Sequence, residues 1–161
     1  MKIGYHRVCN GWYRNVNTHG LGYEYIDFHD GNDERWDNKY FDYYGEDDVD
    51  LYHFFNHIYF GKKKWISTFE DLLPRISDTI DSYHHDGNFH NILKSEELTK
   101  RLDQISKDNC IAILAQSQWC YDLQKRLMKE SGYSHLERKM FMMQVPQKML
   151  TDENIKYDGG V

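Results

Sequence analysis

The chain has 161 residues, 26 acidic and 20 basic, for a formal net charge of −6 at pH 7. That length fits one domain with one core. Acidic residues group between Asp27 and Asp50 and again from Asp152 to Asp158, which argues against a nucleic-acid partner, because phosphate binding needs a basic face.

No apolar run approaches the ~18 residues of a membrane span, and the opening Met1–Val8 lacks the apolar stretch of a signal peptide. A cytoplasmic protein with no integral membrane segment is expected. Cys9, Cys110 and Cys120 form no C-x-x-C pair and read as free thiols, so neither a disulfide framework nor a metal centre is expected. Thirteen tyrosines supply rigid amphipathic surface, which suits sugar stacking and equally an ordinary core.

Short apolar runs alternate with helical patterns, the signature of an α/β fold with an open, mostly parallel sheet and flanking helices. Strands are expected at about 2–8, 23–28, 50–55, 65–69, 110–115 and 140–145. The acidic, aromatic stretch Asp30–Asp48 reads as surface loop, and Lys62-Lys63-Lys64 as a solvated turn. Ser95 caps a helix whose Leu98, Leu102 and Ile105 share one face. Ser117 caps a second that runs to about Glu130, stops near Gly132 and buries Trp119, Cys120, Leu123 and Leu127. A domain at 1–150 and a flexible tail at 151–161 complete the layout.

In such sheets ligands sit beyond the carboxyl ends of the strands. That rule selects Asn10 and Gly11; His53, Asn56 and His57; Thr68, Phe69 and Glu70; Gln116 and Ser117; Gln144 and Gln147. Amides, hydroxyls and carboxylates suit a sugar, whose hydroxyls each need a partner. Glu70 ends an apolar strand, as a general base or hydroxyl acceptor would, or as a cap for the next turn. His53 and His57 would make a metal pair only on a helix with a third ligand, so packing or hydrogen bonding is the simpler role. Ser117 lacks a G-x-S-x-G elbow and reads as a helix cap. Neither G-x-G-x-x-G nor a P-loop is present, so no nucleotide cofactor is expected.

The segments Lys2–Arg7, Asp50–Asn56, Trp65–Glu70 with Leu73-Pro74-Arg75, Cys110–Ser117 and Val145-Pro146-Gln147, in this order, resemble the N-terminal domain of bacterial GT-B fold glycosyltransferases of the glycosyltransferase family 4 type. The resemblance implies a Rossmann-like domain forming one half of a GT-B fold, the acceptor side of a retaining, nucleotide-sugar-dependent sugar transferase. It implies Glu70 as the catalytic residue, with Asn10, Gly11, Arg14, His53, Asn56, Thr68, Gln116 and Ser117 in substrate binding. It also implies a sugar acceptor, a nucleotide-sugar donor and a donor-binding domain, a partner chain or a further copy without which the chain is inactive. The donor half's acidic and diphosphate-binding motifs have no counterpart in these residues. Two other readings stand beside this one: a non-catalytic glycan- or partner-binding module, and a small α/β hydrolase using Glu70 and His53.

Overall fold

The computed structural model describes residues 1–6, 23–28, 42–75, 89, 92–93 and 95–143. Strands β1 (Lys2–His6), β2 (Glu24–Phe28), β4 (Leu51–Phe55), β6 (Lys64–Phe69), β7 (Cys110–Ala115) and β8 (Met140–Met142) form one sheet in the order β2-β1-β4-β6-β7-β8. Every pairing in it is parallel. The expected open α/β sheet is therefore present, as a Rossmann-like half-domain. The strand order reverses beside β1, which makes the gap between β1 and β4 the topological switch point of the sheet.

Two further strands lie where the sequence reads as loop. β3 (Asp42–Tyr43) falls within the acidic stretch, and β5 (Ile58–Tyr59) follows β4; they pair in parallel as a separate ribbon. The ribbon explains how parallel neighbours β4 and β6 are joined without a helix. Parallel pairs ordinarily need a crossover of about a dozen residues or more. Here the stretch between Phe55 and Lys64 returns extended, and at ~3.3 Å per residue it spans the sheet in less than half the residues a helix would need.

Residues paired in register share a face. One face carries Tyr52, Phe54, Trp65, Ser67, Phe69, Ile113 and Ala115, all buried. They form one cluster with Leu98, Leu102 and Ile105 of α1 (Glu96–Ser106) and with Cys120, Leu127 and Met128 of α2 (Gln118–Glu130). The ribbon adds Tyr43 and Tyr59, whose rings lie 5.4 and 5.7 Å from that of Phe54. Phe69, which a sequence reading would leave on an exposed partner-facing patch, is fully buried in this core.

Polar ties hold the covering layer to the sheet. Arg101, 1% exposed, donates to both carboxylate oxygens of Asp42 at 2.9 and 2.7 Å, joining α1 to the ribbon. Burial raises the Asp42 carboxyl above its ordinary range, and Arg101 opposes that shift. The buried Lys139 amine donates to the carbonyls of Ile105, Ser106 and Lys107 at 2.8, 3.2 and 2.7 Å, capping the negative end of α1. The hydroxyls of Tyr43 and Tyr52 both donate to Asp47, and that of Tyr59 donates to Glu46. Burial pushes the Tyr52 phenol up to about 12.

The helix ends follow from their residues. The Ser117 hydroxyl accepts from the Cys120 N–H at 3.1 Å, as expected of a cap. Ser95 precedes α1 without a side-chain cap bond. Gly132, at φ +84°, takes the left-handed position past α2 while the Tyr133 N–H reaches the Met128 carbonyl at 2.7 Å. Trp119, expected in the core, is 54% exposed, and Gln124 occupies the inward position instead. A register shift between Trp65 and Ile66 leaves Ile111 unmatched and exposed in an otherwise apolar strand.

Candidate functional site at the carboxyl edge

Strands β4, β6 and β7 end side by side. Phe55 pairs with Thr68, and Phe69 with Ala115. The residues that follow them, Asn56, Glu70 and Gln116, therefore line one edge. The Asn56 N–H donates to the Thr68 carbonyl at 2.8 Å and the Gln116 N–H to the Phe69 carbonyl at 3.1 Å. These bonds extend the strand pairing one step beyond the strands.

Asn56 and Asp71 are non-glycine residues at positive φ, 59° and 60°. Asparagine and aspartate tolerate that region better than most residues, and such backbone gathers at functional sites. Asn56 turns the chain into the extended return. Its side chain is buried against Glu70: the Glu70 N–H donates to Asn56 Oδ1 at 3.1 Å, and Asn56 Nδ2 donates to Glu70 Oε1 at 3.5 Å. Arg75 Nη1 donates to the same carboxylate oxygen at 3.0 Å. The Glu70 side chain stays 39% exposed, so its carboxylate is fixed in place yet open to solvent.

His53 and Thr68 lie on the opposite face from Phe54. His53 Nε2 and Thr68 Oγ1 are 2.8 Å apart, and Thr68 Oγ1 also donates to the sulfur of Met143 at 3.5 Å. Burial pushes the His53 imidazole down to about 4, so it is neutral near pH 7. His57 stacks on Phe54 at 6.1 Å and pairs with the carbonyl of Phe55. The two histidines thus face opposite sides of the sheet and do not form a metal pair. Among the described residues no group of three or more His, Cys, Asp or Glu side chains is placed to hold a metal ion.

At the next strand end, Gln116 is half-buried and Ser117 is exposed. The Ser117 hydroxyl is engaged with Cys120, accepting from its N–H and donating to its sulfur, both at 3.1 Å. Cys120 also accepts from the Asp71 N–H at 3.3 Å. The first turn of α2 is thereby locked against the turn that carries Glu70. Of the sequence candidates, the structure brings together Glu70, Asn56, Gln116 and Ser117. It sets His53 and Thr68 back under the sheet. Asn10, Gly11 and Arg14, with Gln144, Gln147 and the 151–161 tail, lie outside the described residues.

No protein-family model, curated protein or solved structure matches the chain.

Function therefore rests on the edge itself. The hydrolase reading is weakened by the geometry, because His53 is engaged by Thr68 while Glu70 is engaged by Asn56 and Arg75. Arg75 is the participant the strand-end rule misses. Its signal is spacing alone, a cation five residues beyond a strand-end carboxylate. A wide, open depression runs along α1 between Leu93 and Lys107, but none of its lining residues is a strand-end residue. No described helix is long and apolar enough to cross a membrane.

Proposed function

We propose that the chain is the acceptor-side half of a nucleotide-sugar-dependent sugar transferase, and that the carboxyl edge of β4, β6 and β7 receives the acceptor. The observation that carries this reading is Glu70. It is a half-open carboxylate at the end of a central parallel strand, fixed by Asn56 and Arg75 between two residues of left-handed backbone. Open α/β sheets take their ligands at this edge. The ordered segments Trp65–Glu70, Leu73–Arg75 and Cys110–Ser117, which resemble the acceptor domain of GT-B glycosyltransferases, fall on the strands and turns that build it.

Glu70 accepts the hydrogen bond of one acceptor hydroxyl and aims its oxygen at the sugar being transferred. Asn56 and Arg75 hold that carboxylate still. Gln116 and Ser117 offer further polar groups to neighbouring hydroxyls, and Asn10, Gly11 and Arg14 belong to the same cleft. The diphosphate of the donor is held by a second domain or a partner chain, and the net charge of −6 gives this half little attraction of its own for a dianion.

The test uses the purified chain with a panel of nucleotide sugars and saccharide acceptors. The expected result is saccharide binding without donor hydrolysis or transfer. Glu70→Gln weakens that binding about tenfold, the scale of one charge-assisted hydrogen bond, and leaves the melting temperature unchanged. Donor turnover by the chain alone overturns the half-enzyme reading. A Glu70→Gln variant that melts early but binds as well as the wild type makes Glu70 a structural cap.

A further inference from the structure

A tryptophan is the largest apolar side chain a sequence can bury, and Trp65 of this chain is wholly buried. Trp119 is not: it stands 54% exposed on the first turn of α2, although its neighbour Cys120 is 5% exposed. The turn that carries it is rigid, capped by Ser117 and bonded through Cys120 to the Asp71 N–H. That contact ties it to the segment holding Glu70, and the strand end before it is tied there too, by the Gln116 N–H on the Phe69 carbonyl. An open indole, a fixed half-open carboxylate and polar groups of Gln116 and Ser117 thus meet at one sheet edge.

That combination matches one ligand chemistry. A pyranose ring has an apolar face of C–H groups, which packs on an aromatic ring, and a rim of hydroxyls, which needs carboxylate and amide partners. A planar apolar ligand would leave Glu70 unpaired, and a small polar ligand would have no use for the indole. We propose that Trp119 is the stacking surface for the sugar ring of the acceptor, an assignment that rests on the sugar-transferase reading of this edge. Glu70 sets which hydroxyl is presented, and Trp119 sets which face of the ring lies down. Acceptors with an unbroken C–H face are preferred over open-chain polyols bearing the same hydroxyls.

The probes are maltose, cellobiose, lactose, methyl α-mannopyranoside and N,N′-diacetylchitobiose, with sorbitol as the open-chain control, at tens of millimolar with the full chain. Binding is read by saturation-transfer NMR, which reports the ligand protons that touch the protein. At least one cyclic probe should show transfer concentrated on the C–H protons of one ring face, and sorbitol should show none. Trp119→Ala should weaken that binding about tenfold, the scale of one aromatic stacking contact, and Trp119→Phe should retain most of it. Unchanged melting of both variants shows that the loss is not unfolding. If Trp119→Ala binds with unchanged affinity and proton pattern while Glu70→Gln weakens, Trp119 is a bystander and the acceptor reading stands. If the wild type binds none of the saccharides, both fail together.

Discussion

The neutral imidazole of His53 ties the stability of the fold to pH in a way that can be calculated. Its folded pKa is pushed from 6.5 down to about 4 by burial, whereas in the unfolded chain it returns to the ordinary value near 6.5. Between these values the unfolded state binds a proton that the native state does not. The stabilising contribution is therefore whole above pH ~6.5 and is lost as pH falls toward ~4. At ~1.36 kcal/mol per pKa unit the full loss is about 3 kcal/mol, an upper bound, and about 2 kcal/mol of it is gone by pH ~5. His53→Gln removes the titration and keeps an amide to face Thr68. Urea unfolding of both proteins at several pH values between neutral and mildly acid yields the difference in stability, in which the other histidines cancel. That difference should shrink, or reverse in favour of the variant, by about 2 kcal/mol on going to pH ~5. Two curves that stay parallel across the range would falsify the burial of a neutral imidazole.

Other consequences follow from single contacts. Arg101→Met strands the half-buried Asp42 carboxylate and should destabilise by about 3–5 kcal/mol in urea unfolding; adding Asp42→Leu should recover most of it, and no recovery would mean that the pair is not the coupling element. Lys139→Met removes the amine shared by three carbonyls at the end of α1 and should cost about 2–4 kcal/mol, with amides of the last turn of α1 exchanging first; a loss within the ordinary surface range contradicts the cap. At Gly61 an added Cβ would lie 2.1 Å from the Tyr59 hydroxyl and 2.3 Å from Glu46 Oε1, so Gly61→Ala should lower stability by about 1–3 kcal/mol, and an unchanged melting temperature would refute that close approach.

Much of the sheet is legible in the sequence because a buried parallel strand needs apolar residues on both faces. Cys110–Ala115 and Trp65–Phe69 satisfy that requirement visibly. The ribbon is not legible. Asp42-Tyr43 lies among acids, and what makes it a strand is remote: pairing with Ile58–Tyr59 and a carboxylate that meets Arg101 of α1. In α2 the error has a physical cause. Hydrophobicity ranks Trp119 inside and Gln124 outside, yet the Gln124 amide accepts from the Leu73 N–H at 2.8 Å and donates to the Leu73 carbonyl at 2.6 Å. Those two backbone groups must be paired once buried, and that need claims the inward position. At the site, Glu70 and Asn56 follow from the strand-end rule. The His53–Thr68 pair depends on register, which the sequence does not display.

The extended return between β4 and β6 also explains why the candidate carboxylate is so firmly held. A helical crossover would carry the chain away from the sheet edge before turning back. An extended return must reverse at the first residue after the strand, and that residue is Asn56, with φ 59°. The reversal tucks the asparagine side chain beneath Glu70, where its amide both accepts from the Glu70 N–H and donates to the carboxylate. The Glu70 ion pair with Arg75 is partly exposed and by itself contributes only about 0–1 kcal/mol. Positioning of the carboxylate thus falls mainly to the neutral amide. Asn56→Asp sets a second carboxylate against Glu70, and Asn56→Gly removes the amide while easing the backbone. If the amide positions Glu70, both substitutions should weaken saccharide binding, including Asn56→Gly, whose backbone is the less strained of the two. If Arg75 alone positioned it, Asn56→Gly would bind as the wild type does, and only Arg75→Gln would show the loss.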